Sequence, residues 1–126
     1  MQKNPIVFWE LASHDMEKSA SFFRKVFEWD IEMNERLGFY ITPASSPLGE
    51  QIDGGIFTLG KARLPFVALY IQVMDIDAKA KLIEENGGFI VEAPINVVGG
   101  SRICLFNEPS GVSFAMIQQS PAEKKT

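Results

Sequence analysis

Five groups on strand-like stretches of this 126-residue chain can do chemistry: the carboxylate of Glu10, the phenol of Tyr70, the amide of Gln72, the guanidinium of Arg102 and the thiol of Cys104. A carboxylate against an apolar wall has a raised pKa and can serve as a general base, which makes Glu10 the candidate base. A strand-end acid paired with Arg102, or hydrated at a rim, is the competing reading. Arg102 can grip a carboxylate or phosphate with two parallel N–H groups, or it can hold that same ion pair or a subunit contact. Tyr70 can donate to a ligand oxygen or be satisfied locally, and Gln72 stands near a strand end, where water can serve it. Cys104 would need an activating base or cation to act as a nucleophile. No histidine is placed for it, which favours a buried structural thiol. The single histidine, His14, precedes Asp15 at a helix start, where capping and solvation are the expected duties.

The elements that must position these groups follow from hydrophobic period. Residues 6–11 alternate Val7/Trp9/Leu11 against Ile6/Phe8/Glu10 and predict a strand. The spacing of Met16, Ala20, Phe23, Val26 and Phe27 predicts a helix over 16–27, capped by Ser13 or Asp15. Strands are expected at 29–35, 39–42 and 55–59, with the Pro/Ser-rich loop "PASSPLGEQ" before the last. The order then repeats: strand 66–73, helix 76–86, a Gly87-Gly88 stop, and strands at 89–92, 102–106 and 112–117. The cluster "SFFRKVFEW" is read as helix-to-sheet core. The double glycines at 54–55, 87–88 and 99–100 lack a lysine-bearing phosphate loop, so they are turns or close backbone approaches. The loops "TPASSPLGEQIDGG" and "EAPINVVGGS" are ordinary connections or lids.

A shift of 60 residues lays Asp15 on Asp75, Ala20 on Ala80, Glu32 on Glu92 and Phe22-Phe23 on Leu82-Ile83. Two β-α-β-β-β units result, at about 5–60 and 65–118, within a single domain 1–126 whose tail from 119 is expected to fray. Each unit has one helix, so one face of each sheet is free to line something.

Composition excludes several classes. With 46% hydrophobic and 22% charged residues, the chain is of the soluble globular kind. A net charge of −4 with scattered Lys and Arg gives no footprint for nucleic acid. No apolar run reaches membrane-helix length and no signal-peptide pattern opens the sequence, so a cytoplasmic protein is expected. One cysteine gives no internal disulfide framework.

The ordered segments "ELASHDMEKSASFFRKVFEWDIE", "DGGIFTLG", "YIQVMDIDAKAKLIEENGG" and "EAPINVVGGSRICLFNEPSGVSFAMIQ" resemble the vicinal oxygen chelate superfamily of glyoxalase I, bleomycin-resistance proteins and extradiol dioxygenases. They come nearest to its glyoxalase-related predicted enzymes. The resemblance implies an α+β fold with two β-α-β-β-β modules paired into a curved mixed sheet around a cavity, and a homodimer. Metal-using members carry a ligand on the first and last strand of each module. Those positions correspond here to Phe8, Leu59, Ala68 and Ala115, none of which offers a donor, so neither a metal nor another cofactor is expected. Carrying the same faces along each strand gives the expected lining: Phe8, Glu10, Phe57, Leu59, Phe66, Ala68, Tyr70, Gln72, Arg102, Cys104, Phe106, Ser113, Ala115 and Ile117. Ile103 and Leu105 are assigned to the helix side.

An apolar lining with a few convergent polar groups suits a small molecule. The leading expectation is a metal-free protein binding a small organic ligand, with no nucleic-acid or membrane partner. The alternative is a lyase, isomerase or dioxygenase-type enzyme with a non-standard or absent metal site. A third reading is an interaction domain whose free face is filled by its own side chains.

Overall fold

A computed structural model describes residues 3–42, the main chain of 45–46 and 49–50, and residues 52–59, 65–97 and 99–120. These fall into two compact units, one between 7 and 68 and one between 69 and 120 together with 3–6. The fold is α+β, and each unit carries the β-α-β-β-β pattern.

The first module runs β1 (Ile6–Ser13), α1 (Met16–Phe27), β2 (Glu32–Asn34), β3 (Phe39–Thr42) and β4 (Gly54–Thr58). Its strands lie in the order β2-β3-β4-β1, with β1 and β4 parallel and the rest antiparallel. Helix α1 starts where the Asp15 side chain accepts the Lys18 N–H. It ends at Glu28, which adopts a left-handed conformation with φ 59°. Its inner stripe buries Ala20 with Ile31, Tyr40 and Ile56, and Trp9, Leu11, Met16 and Phe23 pack around them. Between β3 and β4, Ser45–Ser46 pairs with Gly49–Glu50. The rest of the loop expected at 43–51 lies outside the described residues, as does the tail from 121.

The second module repeats the order with β5 (Phe66–Gln72), α2 (Ile76–Glu85), β6 (Phe89–Asn96), β7 (Arg102–Asn107) and β8 (Ser113–Gln118). Its strands are arranged β5-β8-β7-β6. Asp75 caps α2 through the Ala78 N–H, 60 positions after the Asp15 cap. Its core is Val73, Ile76, Cys104, Phe106 and Met116, with Ile71, Ala80, Ile83, Ile90 and Phe114 packed against it.

Three differences from expectation have physical causes. The strand expected from Trp29 starts only at Glu32, because the Trp29 N–H still bonds to the Phe23 carbonyl and its indole stacks on the Phe23 ring at 4.6 Å. Strand β6 continues to Asn96 through the stretch expected as a loop, accommodated by register shifts between Ile90 and Glu92 and between Glu92 and Ile95. The "SFFRKVFEW" cluster is core only in part. Phe23 packs inward, but Phe22, Val26 and Phe27 are more than half exposed, at 54%, 55% and 56%. Among the described residues no helix is long and apolar enough to cross a membrane.

Candidate functional site

In each module the helix covers one sheet face and leaves the other uncovered by it. On the first module, the register pairs Glu10 with Gly55 and Ala12 with Phe57. Parallel partners share a face, so Phe8, Glu10 and Phe57 lie opposite the Trp9, Leu11 and Ile56 row under α1. Phe39 joins them. A Cβ on Gly55 would stand 2.6 Å from Phe39 Cε2 and 3.1 Å from Phe8 Cζ, so two rings close over this glycine. Leu59 follows the end of β4, held by its N–H on the Ser13 carbonyl. Asp53, one residue before β4, is level with Phe8 in the register, and its carbonyl accepts the Trp9 N–H. Burial pushes its carboxyl above the ordinary aspartate range.

On the second module, Phe66, Ala68, Tyr70 and Gln72 occupy one side of β5 by alternation. Tyr70 pairs with Ala115 and Gln72 with Ile117, and Ser113 shares that face. Ala68, Tyr70 and Ala115 are buried. The Gln72 side-chain amide donates to Gln119 Oε1 at 2.8 Å, and the Gln72 main-chain carbonyl accepts from the Asn4 side-chain amide at 3.1 Å. The Ser113 hydroxyl donates to Asn107 Oδ1 at 2.7 Å.

Strand β7 corrects the expected lining. Cys104 pairs with Met116 and Phe106 with Phe114, and both belong to the core under α2. Arg102 shares their side of the strand and reaches back to Asp77 of α2. Ile103 and Leu105, expected under the helix, pair with Ile117 and Ala115 on the helix-free face instead. The Cys104 Sγ lies 3.2 Å from the Glu92 carbonyl, and burial raises its pKa, with Glu84 and Glu92 adding to the shift. Arg102, Cys104 and Phe106 therefore support the core and its rim rather than the face on which Tyr70 and Ala115 stand.

A second correction concerns Leu59. Glu10 pairs with Gly55 and Tyr70 with Ala115, and the second pair stands 60 residues after the first at both positions. The first-module counterpart of Ala115 is therefore Gly55. The substitution changes nothing for a metal. Phe8, Gly55, Ala68 and Ala115 offer no nitrogen, oxygen or sulfur donor from a side chain, so the residues at the ligand positions do not fit a divalent ion. Among the described residues no three His, Cys, Asp or Glu side chains come together as a ligand set.

The sequence model of the Glyoxalase/Bleomycin resistance protein/Dioxygenase superfamily matches residues 6–116. The chain belongs to this superfamily. Similar curated proteins include the anthracycline biosynthesis proteins DauV of Streptomyces sp. (strain C5) and DnrV of Streptomyces peucetius, 28% and 27% identical over 130 residues. The match covers 92% of this chain and 47% of either relative, so the chain spans about half their length. Among solved structures, methylmalonyl-CoA epimerase from Mycobacterium tuberculosis aligns with a TM-score of 0.63 at 15% identity, covering 100% of this chain and 97% of that one. A Streptomyces coelicolor methylmalonyl-CoA epimerase bound to 2-nitronate-propionyl-CoA gives 0.61 at 18%, covering 91% and 96%. At these identities the likeness is one of fold.

Sequence reasoning missed Phe39 and Asp53 in the first module and exchanged the two faces of β7 in the second. Phe39 was legible from its alternation with Tyr40. Asp53 gave no signal, because its burial is set by strand pairing.

Proposed function

We propose that this superfamily member binds a small, largely apolar organic molecule with planar aromatic character, without a metal. The observation that carries this reading is the aromatic face of the first module, where Phe8 and Phe39 close over Gly55 beside Glu10 and Phe57. Rings give such a surface large contact area at low conformational cost, and one carboxylate supplies orientation. The relatives named for anthracycline biosynthesis support a polycyclic aromatic polyketide as the probe. The same reading takes the protein as a cytoplasmic homodimer, because exposed aromatic surface such as that of α1 seldom stays unpartnered.

The test is calorimetric titration of chelator-treated protein with an anthracyclinone. Binding should survive chelation, and Phe8→Ala and Phe57→Ala should each weaken it about tenfold, the ~1.4 kcal/mol scale of a lost aromatic contact. No binding, or binding restored only by a divalent metal, overturns the proposal.

Asp53 favours a second reading. A carboxyl raised by burial, level with Phe8 and two positions from the level of Glu10, suits a metal-free proton transfer such as an isomerase performs. Glu10→Gln and Asp53→Asn would then abolish exchange of a ligand C–H proton with deuterated solvent while ligand affinity persists. Exchange unchanged in both variants removes this reading.

A further inference from the structure

On the second module a cleft of about 270 Å³ opens beside α2, its lining including Leu82, Ile83, Phe106 and Pro109 together with the charged Lys79 and Glu108. The helix ends beside it are closed differently in the two modules. In the first module the Trp29 N–H bonds to the Phe23 carbonyl, and its indole lies flat on the Phe23 ring at 4.6 Å. In the second module the corresponding Ile83 carbonyl accepts the N–H groups of Asn86 and Gly88, neither of which carries a ring. A Cβ on Gly88 would stand 2.5 Å from Ile83 Cγ2. Ile83 and Gly88 both stand on the wall of the cleft.

An aromatic knob of suitable shape is exposed on the same chain. Phe27 ends α1 at 56% exposure, with Phe22 and Trp29 in ring contact around it. The charges flanking knob and cleft have a matching order. On α1, Arg24 and Lys25 precede Phe27 and Glu28 follows it. On α2, Lys79 precedes Leu82 and Ile83, and Glu84 and Glu85 follow them. An antiparallel crossing sets Lys25 towards Glu84 and Glu85 and Glu28 towards Lys79, whereas a parallel crossing opposes like charges. Two acids in the last turn of α2, where no basic residue stands, also sit at the negative end of the helix dipole and are relieved by a partner's cation.

We propose that the chain self-associates by seating the Phe27 end of α1 from one copy in the α2 cleft of a second copy, the helices crossing antiparallel. This deepens the homodimer reading above and rests on it. The contact joins two different surfaces, so its members can be blocked separately. Sedimentation velocity is run on the full chain, on Phe27→Ser, on Leu82→Arg and on an equimolar mixture of the two variants, with circular dichroism confirming that each variant is folded. Wild type should associate, and each folded variant alone should sediment as a monomer. The mixture should regain a 1:1 complex, because the intact knob of Leu82→Arg meets the intact cleft of Phe27→Ser. A monomeric wild type overturns both the homodimer and this contact. An associating wild type with variants that stay associated, or with a mixture that stays monomeric, overturns this contact alone and assigns dimerisation to another surface.

Discussion

Arg102 lays its guanidinium along the Asp77 carboxylate, Nη1 to Oδ2 at 2.7 Å and Nη2 to Oδ1 at 3.2 Å. The fork ties the start of β7 to the first turn of α2, where a negative charge also suits the helix dipole. The Arg102 hydrogen bond holds the Asp77 carboxyl below its ordinary range. A carboxylate with a depressed folded pKa adds stability above its unfolded pKa and loses it as the pH falls through the folded value. Arg102→Met should therefore lower the melting temperature slightly at neutral pH, with the difference vanishing once acid protonates Asp77. Ligand affinity should not change, because Arg102 is off the helix-free face. Melts across a pH series, with a titration at neutral pH, check both parts. Weakened binding would restore Arg102 to the site.

Cys104 should be inert in the native protein. It is 1% exposed, and burial raises its pKa with two nearby acids adding to the effect, so thiolate at neutral pH is scarce. A disulfide-exchange reagent should label it only as fast as the module opens, and at once in denaturant. Cys104→Ala should cost about 1–2 kcal/mol, as a small deletion from a packed core does, and leave binding intact. Rapid native labelling would contradict the placement under α2.

The limits of the sequence reading are visible at β7. Arg102, Cys104 and Phe106 look more polar than Ile103 and Leu105, and hydrophobicity alone sends the second row under the helix. Hairpin geometry decides otherwise. Asn107 pairs with Ser113 across residues 108–112, so Phe106 must share the face of Phe114, which is core. Module order, both helix starts and the faces of β1 were legible because period and the 60-residue shift agreed, whereas on β5 Val67 is 55% exposed and Ala68 and Tyr70 on the other side are buried. Leu59 lies four residues beyond Gly55, the position that the strand register makes equivalent to Ala115. The exposure of Phe22, Val26 and Phe27 was not legible at all, since aromatic residues at helical spacing read alike whether the sheet or a partner covers them.

The repeat extends to a hydrogen bond that sequence identity hides. The Met16 N–H donates to Thr58 Oγ1 at 3.0 Å and the Ile76 N–H to Gln118 Oε1 at 2.8 Å, with donors and acceptors each 60 residues apart. The last strand of each module thereby satisfies a free N–H at the start of its helix. Thr58→Val and Gln118→Leu should each cost about 0.5–1.5 kcal/mol in urea denaturation by removing the acceptor while keeping the bulk. No loss in either would mean that water replaces the side chain freely.

Gly54 and Gly55 are adjacent but serve opposite faces, which separates stability from binding. A Cβ on Gly54 would fall 1.9 Å from Trp9 Cε2, inside the helix-covered core. Gly54→Ala should destabilise by about 1–3 kcal/mol through overpacking and leave ligand affinity unchanged in whatever fraction stays folded. A Cβ on Gly55 meets the Phe39 and Phe8 rings, which lie on the face without a helix and can turn outward. Gly55→Ala should therefore cost less stability yet shift affinity about tenfold, because the rings that would hold the ligand have moved. Adding Phe39→Leu should relieve the crowding and recover most of the stability. Denaturation and titration of the three variants check the division. Equal effects of the two alanines on affinity would mean that the ligand does not use the Phe8–Phe39 face.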